Sequence, residues 1–207
     1  MNAVIVANGE MQAHARLKEL WLRAKLRIAA DGGARNARAL RIAPHSVVGD
    51  LDSLDDETRA WLEKNNCEFL RYPPAKDETD LELAVQLAQA RGADEITLLG
   101  ALGGRPDHFL ANVLVLAQTR GLKLADAAVE MWFGSGLDVI DGKKGDLVSL
   151  LPFDARVEGV ETEGLEYPLR GETLERGSTR GVSNVMLEER AQVLSTRGKL
   201  LIVHLFQ

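Results

Sequence analysis

Four short polar segments in this chain carry residue types that could hold a divalent cation against phosphate. They are Asp31-Gly32-Gly33, Gly49-Asp50-Leu51-Asp52-Ser53, Lys76-Asp77-Glu78-Thr79-Asp80 and Gly103-Gly104-Arg105-Pro106-Asp107-His108. If Asp50, Asp52, Asp77 and Asp80 crowd together, their charges repel unless a cation joins them. Magnesium takes a few carboxylates together with water and substrate phosphates, which suits this set. Gly103 and Gly104 would let the backbone approach a phosphate. A helix starting near Pro106 would offer free N–H groups, and Arg105 would add positive charge.

Each segment also has a purely structural reading. Ser53 with Asp56 fits a helix capping box, although Asp50 and Asp52 lie before it and helix initiation does not account for them. Thr79 with Glu82 fits another, and Asp80 suits the positive end of that helix. Taken singly, Asp77 and Asp80 serve as well for capping as for binding. Asp31 before two glycines reads as a turn. The lysine-bearing phosphate loop and the GxGxxG fingerprint are both absent, so a nucleotide site must be built another way. His108 fits a helix start, while His14, His45 and His204 lack ligand spacing. Trp21, Trp61 and Trp132 read as core or interface residues.

The elements that must position these segments follow from the apolar pattern. Short apolar runs at Ala3–Ala7, Arg27–Ala30, Ser46–Val48, Cys67–Tyr72 and Glu95–Leu99 read as strands. Helical patterns separate them, including roughly Asp55–Lys64 and Pro106–Arg120. Repeated strand–helix units imply an α/β domain with a parallel sheet and helices on both faces. Ligands bind such sheets outside the carboxyl ends of the strands, where all four polar segments fall.

After about Leu124 the rhythm changes to short strands at Glu130–Phe133, Leu137–Ile140, Leu147–Leu150, Arg156–Thr162, Asn184–Leu187, Ala191–Ser195 and Leu200–Leu205. Turn signals such as Asp141-Gly142 and Arg197-Gly198 separate several of them. The expected organisation is therefore an α/β domain over 1–124 followed by an all-β, sandwich-like domain over 125–207.

Composition narrows the function classes. The chain has 207 residues and a net charge of -6, with no basic surplus for nucleic acid. Its single cysteine, Cys67, excludes an internal disulfide. No apolar run approaches the ~20 residues of a membrane span, and no basic-then-apolar leader opens the chain, so a cytoplasmic protein is expected.

At Ala30-Asp31-Gly32-Gly33, Gly49-Asp50-Leu51-Asp52-Ser53, Lys76-Asp77-Glu78-Thr79-Asp80 and Gly100 through His108, together with Gly164-Leu165-Glu166-Tyr167-Pro168-Leu169 and Arg180-Gly181-Val182-Ser183-Asn184, the chain resembles the thiamine pyrophosphokinase family. The likeness runs through nearly the whole chain. It implies an N-terminal α/β domain that binds ATP and Mg2+, a C-terminal sandwich-like domain that contributes thiamine contacts, and a homodimer. The implied reaction is attack of the thiamine hydroxyl on the β-phosphorus of ATP, releasing AMP. On this resemblance Asp50, Asp52, Asp77 and Asp80 belong to the metal region, and Asp31, Gly32, Gly103, Gly104 and Arg105 to the ATP phosphates. Tyr167, Ser183 and Asn184 belong to thiamine. Asp52, Asp77, Arg105 and Asp107 form the catalytic set, in which Asp77 and Asp107 are both candidates to accept the hydroxyl proton. Leu51 stands where the family often carries phenylalanine and is expected to face away from the metal. A pyrophosphokinase acting on a pterin alcohol and a non-catalytic nucleotide or thiamine sensor are the competing readings; Tyr167 and Ser183-Asn184 favour thiamine, and the complete acidic set favours catalysis.

Overall fold

The computed structural model describes residues 1–207 as two compact units, Met1–Ala127 and Ala128–Gln207. The expected division was 1–124 and 125–207; the difference is confined to the end of the last strand of the first unit and the two residues that follow.

The first unit alternates β1 (Asn2–Val6), α1 (Ala15–Arg23), β2 (Leu26–Ala30), α2 (Gly33–Ala39), β3 (Ser46–Gly49), α3 (Asp56–Lys64), β4 (Glu68–Arg71), α4 (Asp80–Ala90), β5 (Glu95–Leu99), α5 (Pro106–Gln118) and β6 (Leu122–Ala125). Its strands are parallel in the order β6-β5-β1-β2-β3-β4. A helix in every crossover is what parallel pairing requires. Alternate residues of the strands point to opposite faces. Val4 and Val6 cluster with Leu17 and Trp21 of α1 and Ala37 of α2, while Ala29 and Val47 cluster with Leu62 of α3. Contacts of α4 with β1, β2 and β3 cover the other face. Trp21 is fully buried and its indole N–H donates to the Ile42 carbonyl at 2.7 Å.

Two helix starts refine the sequence reading. α4 begins as expected, with the Thr79 hydroxyl accepting from the Glu82 N–H at 3.2 Å. At α3 the cap is Asp55 rather than Ser53: its carboxylate accepts from the Thr58 N–H at 2.7 Å and from the Thr58 hydroxyl at 2.9 Å. Strand β6 had no counterpart among the expected strands, because its four residues follow closely on the long apolar pattern of α5.

The strand order reverses at β1, which has β2 on one side and β5 on the other. Ligands of such sheets bind at this reversal, outside the carboxyl ends of the strands.

The second unit contains β7 (Val129–Phe133), β8 (Leu137–Asp141), β9 (Leu147–Pro152), β10 (Arg156–Glu163), β11 (Arg170–Glu175), β12 (Asn184–Val185), β13 (Arg190–Leu194) and β14 (Leu200–Leu205). They pair antiparallel in two runs, β12-β9-β14-β7 and β11-β10-β13-β8. Trp132, Leu150 and Ile202 from one run share a core with Ile140, Val160 and Val193 from the other, which makes a β-sandwich. Strand β11 escaped the sequence reading because Leu174 is its only buried residue. His204 is buried, and its Nε2 lies 3.0 Å from Asp146 Oδ2, a structural role. No helix in either unit is long and apolar enough to cross a membrane.

Candidate active site

Asp31, directly after β2, has a left-handed backbone with φ 42°. Its N–H donates to the Val48 carbonyl at 2.8 Å, fixing it beside the end of β3. Asp50 and Asp52 follow β3, and the Asp52 N–H donates to Asp50 Oδ1 at 3.2 Å. Leu51 between them has φ 65° and a buried side chain packed with Val47 and Leu62. The residue expected to face away from a metal therefore anchors the turn in the core.

The result is a cluster in which one carboxylate oxygen each from Asp31, Asp50 and Asp52 lies within 4.8 Å of the others. The contact between the Asp50 and Asp52 carboxyls holds Asp50 below the usual carboxylate range and pushes Asp52 above it, with the Asp31 charge adding to the rise. Asp31 is buried, yet its Oδ1 has no hydrogen-bond partner. An acceptor stripped of water and left unpaired is costly, and a hard cation would satisfy it. The donor set thus fits magnesium.

Asp80 stands close by. A Cβ on Gly49, where φ is 149°, would lie 2.9 Å from Asp31 Cβ and 3.1 Å from Asp80 Oδ1. Only a residue without a side chain lets these carboxylates approach. No hydrogen-bond donor is aligned on Asp80 Oδ1, but the Lys76 ammonium lies 2.8 Å away. Asp80 first, then Asp50 and Asp31, raise the Lys76 pKa. Lys76 belongs to a segment singled out from sequence, but its own part in the site was not anticipated; it lies in the loop before α4, where no helical spacing signals a pair with Asp80.

These groups open into a cleft of about 590 Å³ in the first unit, a volume suited to a small ligand. Asp31, Asp50, Lys76, Asp80, Gly103, Gly104, Arg105 and His108 all line it. Asp52 is exposed and joins through the cluster. Asp77 is exposed and does not line the cleft. Gly32 caps α2, and the Asn8 side chain fills the place its Cβ would take.

The opposite wall is backbone. The Gly9 N–H donates to the Gly100 carbonyl at 2.9 Å, joining the loops after β1 and β5. A Cβ on Gly9 would lie 2.3 Å from that oxygen and 2.8 Å from the Gly103 carbonyl oxygen. Asn36 of α2 braces this wall, its amide donating to the Ala7 carbonyl at 2.8 Å and the Gly9 carbonyl at 3.0 Å. Asn112 of α5 donates to the Ala101 carbonyl at 2.9 Å. Neither asparagine sits in a segment that sequence reasoning marked, and an amide within a helix gives no signal of the carbonyl it will meet. α5 starts at Pro106 without a side-chain cap. Arg105 grips Asp107 with two bonds, Nε to Oδ1 at 3.1 Å and Nη2 to Oδ2 at 2.6 Å. That grip holds the Asp107 pKa down to about 2, so Asp107 is a poor base in this arrangement.

In the second unit the structure brings Tyr167, Ser183 and Asn184 together. Tyr167 is 64% exposed. Ser183 has a left-handed backbone, φ 58°, and its N–H donates to the Ser149 hydroxyl at 3.0 Å. Asn184 is buried, and its amide bonds to the backbone of Tyr167.

Residues 17–128 match the family described as "Thiamin pyrophosphokinase, catalytic domain", and residues 137–201 match "Thiamin pyrophosphokinase, vitamin B1 binding domain". The chain is 29% identical over 182 residues to the thiamine pyrophosphokinase of Bacillus subtilis (strain 168), covering 85% of each chain. It is 27% identical over 221 residues to thiamine pyrophosphokinase 1 of Oryza sativa subsp. japonica, covering 93% of this chain and 83% of that one. The crystal structure of the Bacillus subtilis thiamine pyrophosphokinase superposes with a TM-score of 0.87 at 26% identity, covering 100% of both chains.

Proposed function

The chain belongs to the thiamine pyrophosphokinase family, which transfers pyrophosphate from ATP to the thiamine hydroxyl, and on that premise we propose how its own residues divide the work. The observation that carries the reading is the buried Asp31 carboxylate, with Oδ1 unpartnered, clustered with Asp50 and Asp52 at the carboxyl ends of the strands. Asp31, Asp50 and Asp52, with Asp80 beside them, hold Mg2+ directly or through water. Asp77 stands in reserve as a ligand or proton acceptor on the segment before α4. When bound, the metal offsets the charge that builds on the phosphate oxygens.

The phosphates of ATP lie in the cleft between this cluster and the backbone wall of Gly9, Gly100, Gly103 and Gly104, where the absence of side chains permits close approach. Lys76 exchanges its contact with Asp80 for a phosphate oxygen. Arg105 steadies the transferred group, and releasing Asp107 from its grip would restore some basicity to that carboxylate. The thiamine hydroxyl attacks the β-phosphorus and AMP leaves; Asp77 or Asp107 takes the hydroxyl proton. The second unit contributes thiamine contacts through Tyr167 and Ser183, with Asn184 bonded to the tyrosine backbone.

A homodimer and a cytoplasmic location belong to the same proposal. The exposed Leu110 and Leu114, one turn apart on α5, support the first, because apolar stripes of this kind favour a partner. The lone cysteine supports the second. Purified protein incubated with ATP, magnesium and thiamine is expected to yield thiamine diphosphate and AMP, and to stop when magnesium is chelated. Asp52→Asn should lose turnover while staying folded. Wild-type turnover in that variant would remove Asp52 from the metal site, and light scattering of a monomer would end the dimer assignment.

A further inference from the structure

The segment Gly164–Tyr167 runs alongside Asn184–Leu187 in a short irregular ladder. The Leu187 N–H donates to the Gly164 carbonyl at 2.9 Å, and the Glu166 N–H to the Val185 carbonyl at 2.9 Å. The next backbone rung would fall at Pro168 opposite Ser183, and it cannot form. Asn184 is committed through its main chain to Val148 of β9, and Ser183, at φ 58°, turns the strand away. Pro168 follows Tyr167, has no N–H, and holds the residue before it extended.

The Asn184 side chain pairs with the Tyr167 backbone instead. Its Oδ1 accepts from the Tyr167 N–H at 3.0 Å, and its Nδ2 donates to the Tyr167 carbonyl at 2.7 Å. The same Oδ1 accepts from the Val185 N–H at 2.9 Å. An amide reproduces both halves of a peptide pair, and the two N–H donors facing Oδ1 fix its orientation. Asn184 is 4% exposed, whereas Tyr167, whose backbone it holds, is 64% exposed. Its oxygen is fully engaged by backbone N–H groups.

We infer that Asn184 is a positioning residue that acts on thiamine through Tyr167, holding the aromatic ring at the surface of the second unit rather than contacting the substrate itself. This rests on the assignment of Tyr167 to thiamine proposed above. A flat, exposed aromatic whose backbone is locked on both sides presents its face to a cationic or aromatic heterocycle without first having to order a loop. Replacing the amide frees the backbone at the point where the ring is attached.

The test is a double-mutant cycle with Asn184→Ala and Tyr167→Ala, measuring KM for thiamine and for ATP, joined to amide hydrogen exchange at Tyr167. Asn184→Ala is expected to raise KM for thiamine about tenfold, to leave KM for ATP within about twofold, and to add nothing once Tyr167 is alanine. The Tyr167 amide should exchange at least about tenfold faster in Asn184→Ala than in the parent. Asn184→Asp keeps the acceptor for both N–H groups but faces the Tyr167 carbonyl with a carboxylate, so it should show the same KM pattern; it serves if the alanine variant does not fold. Additive losses would make Asn184 a direct thiamine contact and overturn the inference. Unchanged exchange at Tyr167 would overturn it as well, even with KM altered. If Tyr167→Ala leaves KM for thiamine unchanged while exchange in Asn184→Ala rises, the clasp exists but the thiamine assignment fails, and the inference falls with it.

Discussion

The substitution Asp31→Asn separates a cluster built for a cation from one built by chance. Asp31 is buried, and its Oδ1 accepts no hydrogen bond, so exchanging the carboxylate for an amide breaks no bond at that atom. Asparagine tolerates the left-handed backbone found there, so no new strain enters. The change removes one charge from a group whose oxygens lie within 4.8 Å of one another. For Asp31 and Asp50, charges at that separation repel by about 1 kcal/mol in water-like surroundings, and the half-exposed Asp50 places the pair near that end of the scale. For a chain of this size, 1 kcal/mol moves the melting temperature by roughly 2–4 °C. Attraction between Asp31 and Lys76 offsets part of this repulsion, so Asp31→Asn should melt above the parent in chelator by up to about 2–4 °C. In saturating magnesium the order reverses, because the parent gains metal binding energy that the variant largely lacks. Turnover to thiamine diphosphate should fall by at least about 100-fold. Calorimetry with and without magnesium, joined to product assay, reads all three. A variant less stable than the parent in chelator would show that the Asp31 carboxylate supports the fold, and the cation argument would be refuted.

Three further perturbations follow from the geometry. Gly9→Ala places a methyl group 2.3 Å from the Gly100 carbonyl oxygen, backbone that cannot swing aside; urea denaturation should show a loss of about 1–3 kcal/mol, and kinetics a raised KM for ATP. Asn36→Ala removes the brace from the Ala7 and Gly9 carbonyls; kcat/KM for ATP should fall while KM for thiamine holds, and equal losses in both would contradict a local role for the brace. The Arg91 guanidinium, then the Ser46 hydroxyl, hold Glu68 below its ordinary 4.5. The folded state therefore binds fewer protons there, so this contribution is complete above pH 4.5 and fades as pH falls through the lower folded value. The pair is substantially exposed, so Arg91→Ala should cost only about 0.5–1 kcal/mol at pH 7 and should flatten that part of the acid limb in denaturation measured from pH 6 to pH 3.

The strand–helix alternation of the first unit was legible because each strand is a short apolar run between helical patterns, and Asp31 and Asp50 fall at strand ends, and Arg105 at the helix start after β5, in the sequence as in the structure. What was not legible is instructive. β6 is indistinguishable by pattern from the tail of α5, and β11 buries a single side chain, so neither presents a periodicity. The cap at α3 went to Asp55 because two residues met the capping rule and only backbone geometry chooses between them. Asp31 looked like a turn residue: nothing in Asp31-Gly32-Gly33 reveals that its carboxylate meets Asp50 and Asp52, since that depends on the pairing of β2 with β3. Asn36 and Asn112 bond to carbonyls in loops outside their own helices, and such partners are fixed by how helix and loop pack. Tyr167 and Ser183-Asn184 were found through resemblance, but the clasp between them comes from bonds no motif encodes.

The two walls of the cleft differ in how much chain each requires. The acid cluster is made from adjacent strands and the start of α4, all within the stretch from β2 to Asp80. The glycine wall needs β1 seated beside β5, so that Gly9 meets Gly100 across nearly the length of the unit. Contacts this distant form late, after the loop between them has closed. A chain emerging from the ribosome could thus gather its carboxylates while its phosphate wall is still open. On the proposed site, nucleotide bound against both walls would span the seam between β1 and β5, and would favour the completely folded unit over every partly folded one by mass action. The substrate would then also be a late fastener of the fold, with dissociation of nucleotide and opening of that seam as linked equilibria.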